Sequence, residues 1–118
     1  MVISNVGSGA DYGVALRYGS SVSAQQGIAI GTNTKSIASL AMAIGNGAQA
    51  SGENAISIGR TTSASGGDAV SIGTSSQATG GDAVSIGASS QATGADSLYV
   101  VKMLEQITVI LSLLVKIQ

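Results

Sequence analysis

The sequence predicts an all-β solenoid, a parallel β-roll of seven coils followed by a short C-terminal α-helix. Two features point to the roll. A phrase built on Ile-Gly returns at Gly59, Gly73 and Gly87 with only small and polar residues between. The composition also denies the chain a conventional core: its 118 residues include 17 Gly, no Phe, no Trp, no Pro and only three Tyr. The hydrophobic 44 % is mostly Ala, Ile, Val and Leu, side chains suited to a thin layered structure. A third feature marks the helix, because beyond Val100 the glycines stop and the hydrophobic period changes. The expected division is residues 1–98 for the roll and 99–118 for a junction and helix.

The first strand of each coil is defined by two columns of large apolar residues. Steps of fourteen from Val14 land on Ile28, Met42, Ile56, Val70, Val84 and Leu98. Two residues later the column reads Leu16, Ile30, Ile44, Ile58, Ile72, Ile86 and Val100. Large and small side chains alternate with the period of two that a strand imposes, and the middle coils carry no charge in this strand. Both faces of the strand are therefore expected to be buried. Either the large side chains enter the roll and the small ones face out, or the reverse; composition does not choose.

Glycine follows the strand at Gly31, Gly45, Gly59, Gly73 and Gly87, and a second glycine column stands at Gly52, Gly66, Gly80 and Gly94. At both corners glycine permits the positive φ that a turn of so few residues requires. Between the corners lies a second strand, as in Ser75 to Thr79, expected to offer only Ala78 to the inside and to face solvent with Gln77 and Thr79. Asn54, Asp68, Asp82 and Asp96 precede the next strand, where a turn that caps its own backbone is expected. At about 4.8 Å per coil the stack is roughly 34 Å tall. Its interior is too narrow for a stable monomer, and the cheapest cover for the exposed strand face is another copy of it around a rotation axis.

In the tail, Met103, Ile107, Ile110, Leu114 and Ile117 step by four and three, the a/d spacing of a coiled coil. Isoleucine at both a and d favours trimers or tetramers. Val109, Leu111, Leu113 and Val115 lie off that seam, so the helix is apolar nearly all round and its outer face needs a cover as well. The apolar run is shorter than the roughly 20 residues of a membrane span and is interrupted by Glu105, Gln106, Ser112 and Lys116. A helical bundle is expected instead.

Charge and missing residue types exclude several functions. Five basic and six acidic residues leave no footprint for nucleic acid. With no His and no Cys there is no disulfide, no zinc site and no base to activate the many serines, so no enzyme, catalytic residue, cofactor or metal site is expected. Arg17, Lys35 and Arg60 each occur in a single coil and read as solvated surface groups. The opening MVISNVGSGADYG lacks a charged segment followed by an apolar one, so no secretory signal is expected in it. The period of fourteen also disfavours the nonapeptide calcium solenoids and the hexapeptide helices. A mixed Thr61, Ser75, Ser89 row disfavours ice binding.

The phrase [IV]-[SA]-I-G-x-x-[ST]-x-A-x-G at fourteen-residue spacing, from Gly13 to Val101, resembles the head repeats of trimeric autotransporter adhesins, the YadA-like heads. Residues 96–103, DSLYVVKM, look like a variant of the neck that joins such heads to their stalks, with Tyr99 and Lys102 departing from its usual form. The resemblance implies a left-handed β-roll, three rolls packed about one axis, exposure on a bacterial surface, and attachment to extracellular matrix such as collagen or to cells. No membrane span is expected in this chain, and the resemblance suits an excised fragment or a head borrowed by a phage fibre. EQITVILSLLVKIQ is similar to the isoleucine zippers fused to such fragments. The alternative is therefore an engineered or structural building block whose tail assembles trimers into a cage or fibre.

Overall fold

The computed structural model describes residues 4–117. It is a parallel solenoid of two seven-stranded sheets. One sheet, the long-strand sheet, comprises β2 (Val14–Leu16), β4 (Ile28–Ile30), β6 (Met42–Ile44), β8 (Ile56–Ile58), β10 (Val70–Ile72), β12 (Val84–Ile86) and β14 (Leu98–Val100). The other comprises β1 (Ser4–Val6), β3 (Ser20–Val22), β5 (Lys35–Ser36), β7 (Gln49–Ala50), β9 (Ser63–Ala64), β11 (Gln77–Ala78) and β13 (Gln91–Ala92). In the long-strand sheet Val14 pairs with Ile28, and the same fourteen-residue register continues to Ile86 with Val100. The first coil alone is longer, since Ser4 pairs with Ser20. The helix α1 (Val101–Ile117) follows β14 directly.

The orientation that composition left open is resolved by packing. The middle residue of each long strand points into the roll: Ala29, Ala43, Ser57, Ser71 and Ser85 are wholly buried. Opposite them the second sheet contributes Ala50, Ala64 and Ala78, also wholly buried. The space between the sheets is filled by small side chains, Ala and Ser with Thr34 and Thr62 the largest of the polar ones. The one larger buried aliphatic group, Val22, is accommodated by glycines, since a Cβ at Gly27 would lie 2.7 Å from its Cγ1 and one at Gly13 would lie 3.0 Å away. Tyr99 occupies the same column beyond Ser85, where no further coil follows, and packs against the alanine core.

Serines in the interior answer each other across the roll. Ser57 Oγ donates to Thr62 Oγ1 at 2.8 Å, and the hydroxyls of Ser71 and Ser76, and of Ser85 and Ser90, pair at 2.7 Å. Ser76 therefore joins Ala78 on the inside of the second strand, where the sequence predicts Ala78 alone. Where the strand residue is alanine, its opposite number bonds to its own turn, as Thr34 Oγ1 does to the Gly31 carbonyl at 3.0 Å. In the Ala43 coil that partner is itself Ala48.

The two glycine corners work differently. Gly31, Gly45, Gly59, Gly73 and Gly87 have φ between 125° and 140°, a region closed to most side chains. Gly52, Gly66 and Gly80 do not have positive φ, which corrects the expectation for that corner. They are buried where one coil's backbone lies against the next, so that a Cβ would overlap the following coil's carbonyl. The positive φ falls instead on Asn54, Asp68, Asp82 and Asp96, at 54° to 58°. These residues serve the turn by tolerating the left-handed conformation. Asp68 and Asp82 form no side-chain hydrogen bond to their own turns among the described residues, so the expected capping bond is replaced by a backbone one: Asp68 N–H donates to the Glu53 carbonyl, and Asp82 N–H to that of Gly67, both at 2.8 Å.

Candidate functional site

With small residues directed inward, the large side chains at the first and third positions of the long strands are directed outward, Tyr99 being the one large side chain at a middle position. Ile28, Ile30, Met42, Ile44, Ile56, Ile58, Val70, Ile72 and Val84 are half-buried by their neighbours along the sheet. Val14, Leu16, Ile86 and Leu98, toward the ends, are exposed, while Val100 is half-buried. In parallel register these columns form an unbroken aliphatic ridge across seven strands, with no polar side chain among them. A continuous ridge of this kind is unlike the scattered apolar residues of an ordinary surface.

The second sheet presents the opposite chemistry. Lys35, Gln49, Gln77 and Gln91 stand outward and exposed along it, with Ser63 half-buried in the same column. Along one corner, Thr61 and Ser75 share a hydrogen bond of 3.1 Å between hydroxyls on successive coils, while Ser89 repeats the position. Arg17, Lys35 and Arg60 are all exposed. The molecule thus has one apolar face and one shallow, polar, repeated face.

The glycine columns separate these faces, Gly31 to Gly87 beside the ridge and Gly52 to Gly94 across from it. Gly94, in the last coil, is exposed and its Cβ would meet only Ser97 Cβ at 3.9 Å, so it escapes the crowding of Gly52, Gly66 and Gly80.

On α1, the seam residues Ile107, Ile110, Leu114 and Ile117 are exposed, as are Val109, Leu111, Leu113 and Val115. The side chain of Met103, the first seam position, lies outside the described residues. No helix among the described residues is long and apolar enough to cross a membrane. Nor do the described residues contain a cluster of acidic groups able to hold a metal ion.

The interior hydroxyl pairs were missed by reading columns one at a time. Ser57, Ser71 and Ser85 each have a hydroxyl residue five positions on, whereas Ala43 has Ala48. The signal lies in the strand column, since Ala15 and Ala29 also have a hydroxyl residue five positions on, Ser20 and Thr34, which bond to their own turns.

The family model for the YadA head domain repeat matches residues 36–62, 64–90 and 78–98, together more than half of the chain. No curated protein matches the chain.

Proposed function

We infer the function from the chain's family: it belongs to the YadA head-domain repeats, the heads of trimeric autotransporter adhesins, and we propose that it forms a homotrimer attaching to matrix proteins or cells. Heads of this family are homotrimeric and exposed on bacterial surfaces. The observation that carries the reading for this chain is the aliphatic ridge. Its columns, from Val14 and Leu16 to Leu98 and Val100, keep one register over seven strands and present nothing that water would solvate. Three ridges meeting on an axis cover one another, and the seam of α1 from Met103 to Ile117 continues the same three-fold contact into a helical bundle.

In that trimer the polar sheets face outward three times over. Gln77 and Gln91, one coil apart, and Gln49, two coils before Gln77, give each protomer several similar, weak contacts to an extended ligand such as collagen, and three protomers multiply them. The activity proposed is attachment, with no catalytic step.

The test uses the full chain. Light scattering behind a sizing column should give a mass that is a multiple of three chains, and Ile58→Glu, at the centre of the ridge, should lower it. Binding to immobilised collagen should fall in Gln77→Ala/Gln91→Ala while the mass is unchanged. A monomeric full chain removes the trimer; a trimer that binds no matrix protein removes the adhesive role.

A further inference from the structure

The two sheets do not begin together. β1 opens the second sheet ahead of β2, so among the described residues the coil to which β1 belongs has no long strand. Val6 shows the consequence. It pairs in register with the buried Val22 and points into the roll, where a Cβ at Gly13 would lie 3.3 Å from its Cγ1, yet it is 45 % exposed. The far end of the roll is closed, because Tyr99 fills the middle position of β14 and packs against the alanine core. At the β2 end the middle position holds only Ala15.

β2 is also an open edge. Val14 N–H donates to the Gly27 carbonyl and the Leu16 carbonyl accepts from Gly31 N–H, both bonds running toward β4. The alternation of a parallel ladder therefore turns the N–H and C=O of Ala15 to the open side. Gly13 C=O and Arg17 N–H join them, since their counterparts one coil on, Gly27 C=O and Gly31 N–H, are the groups that bond back to β2. No strand among the described residues covers these four groups. Edges that must stay free are blunted by lysine, proline or a bulge. Val14–Leu16 reads Val-Ala-Leu and carries none of these.

We propose that this half-open first coil is a strand-accepting site, and that its ligand is an extended aliphatic segment of another protein, laid parallel on β2 with the pattern large, small, large. The first large residue donates its N–H to Gly13 C=O and accepts from Ala15 N–H. The second donates to Ala15 C=O and accepts from Arg17 N–H. Their side chains continue the columns of Val14 and Leu16, which are 42 % and 51 % exposed for want of a neighbour on that side. The middle side chain enters the roll above Ala15 and opposite Val6, in a column that holds only Ala or Ser from Ala15 to Ser85. A second copy is the competing occupant. Two β2 edges would have to approach to about 4.8 Å, and β1, which stands ahead of β2 in each roll, meets its counterpart first. Each chain carries the whole site, so the inference stands apart from the trimer reading.

The probe is the acetylated and amidated peptide QGIAIGTN, a copy of residues 26–33, added to the nitrogen-15-labelled full chain. Amide exchange is read by NMR. In the free chain Ala15 and Arg17 should exchange faster than Ala29, which pairs on both sides. The peptide should saturate at one per chain and slow both amides by about tenfold or more. N-methylation of either Ile in the peptide should weaken binding by about tenfold, while N-methylation of its Ala, whose N–H faces away from β2, should leave it within about threefold. Unchanged exchange at Ala15 and Arg17 in millimolar peptide overturns the inference. Equal loss from methylating Ile or Ala overturns it as well, in favour of an unspecific apolar contact. Slow exchange in the free chain that quickens on dilution overturns it in favour of a second copy. A peptide with Leu in place of Ala that binds equally well overturns the large, small, large pattern.

Discussion

Gly66 and Gly67 are adjacent, and replacing each with alanine tests the close approach of successive coils. Gly66 is buried, without positive φ, and a Cβ there would lie 2.5 Å from the Gly80 carbonyl carbon, overlap its oxygen and come within 3.0 Å of the Gly81 nitrogen. All three atoms are backbone, so no rotamer change relieves the contact. The coils would have to part by about 1 Å, a strain worth about 1–3 kcal/mol for overpacking. Parting also lengthens the bonds from Ser65 N–H and Gly66 N–H to the Ala78 carbonyl, now 2.9 and 3.4 Å, at about 1 kcal/mol for each one lost. Gly66→Ala should therefore cost about 3–5 kcal/mol. Gly67 has nothing within 4 Å of its Cβ position and no positive φ. Gly67→Ala should be neutral or stabilise by about 0.4–1 kcal/mol through the unfolded chain. Urea unfolding followed by circular dichroism measures both midpoints. Equal destabilisation of the two variants would refute the argument that inter-coil contact, and not glycine flexibility, fixes the second corner.

Two further substitutions probe the interior and the turns. Ser76→Ala should destabilise by about 1–3 kcal/mol, because it leaves the buried Ser71 hydroxyl without its 2.7 Å partner. Ser71→Ala should cost less than about 1 kcal/mol, since Ser76 can turn to the Gly73 carbonyl as Ser90 does to that of Gly87 at 2.8 Å. The double variant should match Ser71→Ala, and a thermodynamic cycle from unfolding curves reads the difference. At the turn, Asp82 has φ of 54°. Asp82→Val should destabilise by about 1–2 kcal/mol while Asp82→Asn stays within about 0.5 kcal/mol. Equal loss in both would show that the charge, and not the conformation, is what the position requires.

The repeat made the roll legible because register in a solenoid is a property of spacing alone: residues fourteen apart fall on one another whatever fills the coil. The strand columns from Val14 to Leu98 and from Leu16 to Val100 are therefore legible in the spacing itself. Which way they faced could not. Alternation records that two faces differ, and Ile against Ser would ordinarily place Ile inside. The decision came from the distance between the sheets, set by two-residue strands such as Gln77–Ala78 and by corners of a few residues. Those corners hold the walls too close for isoleucine. The same limit explains the two glycine columns. They share a residue type in the sequence, yet Gly59 is required by its φ of 136° and Gly66 by the neighbouring coil.

The inversion has a thermodynamic consequence. A roll whose interior is alanine and serine gains little from its own core, because the apolar area available there is small. The larger gain lies on the ridge, where Ile44, Ile58 and Ile72 remain half-buried until another surface covers them. In the proposed trimer folding and association are one equilibrium, and the midpoint of unfolding should depend on protein concentration. For three chains unfolding together, a tenfold rise in concentration stabilises the trimer by about 2.7 kcal/mol, two factors of RT ln 10. With an unfolding entropy of about 2.1 cal/mol/K per residue over three chains, the thermal midpoint rises by about 3–4 °C. Calorimetry of the full chain over two decades of concentration, with rescans to establish reversibility, measures it. A midpoint that does not move would mean that each roll is stable alone, and the ridge would then have to be explained by a partner other than itself.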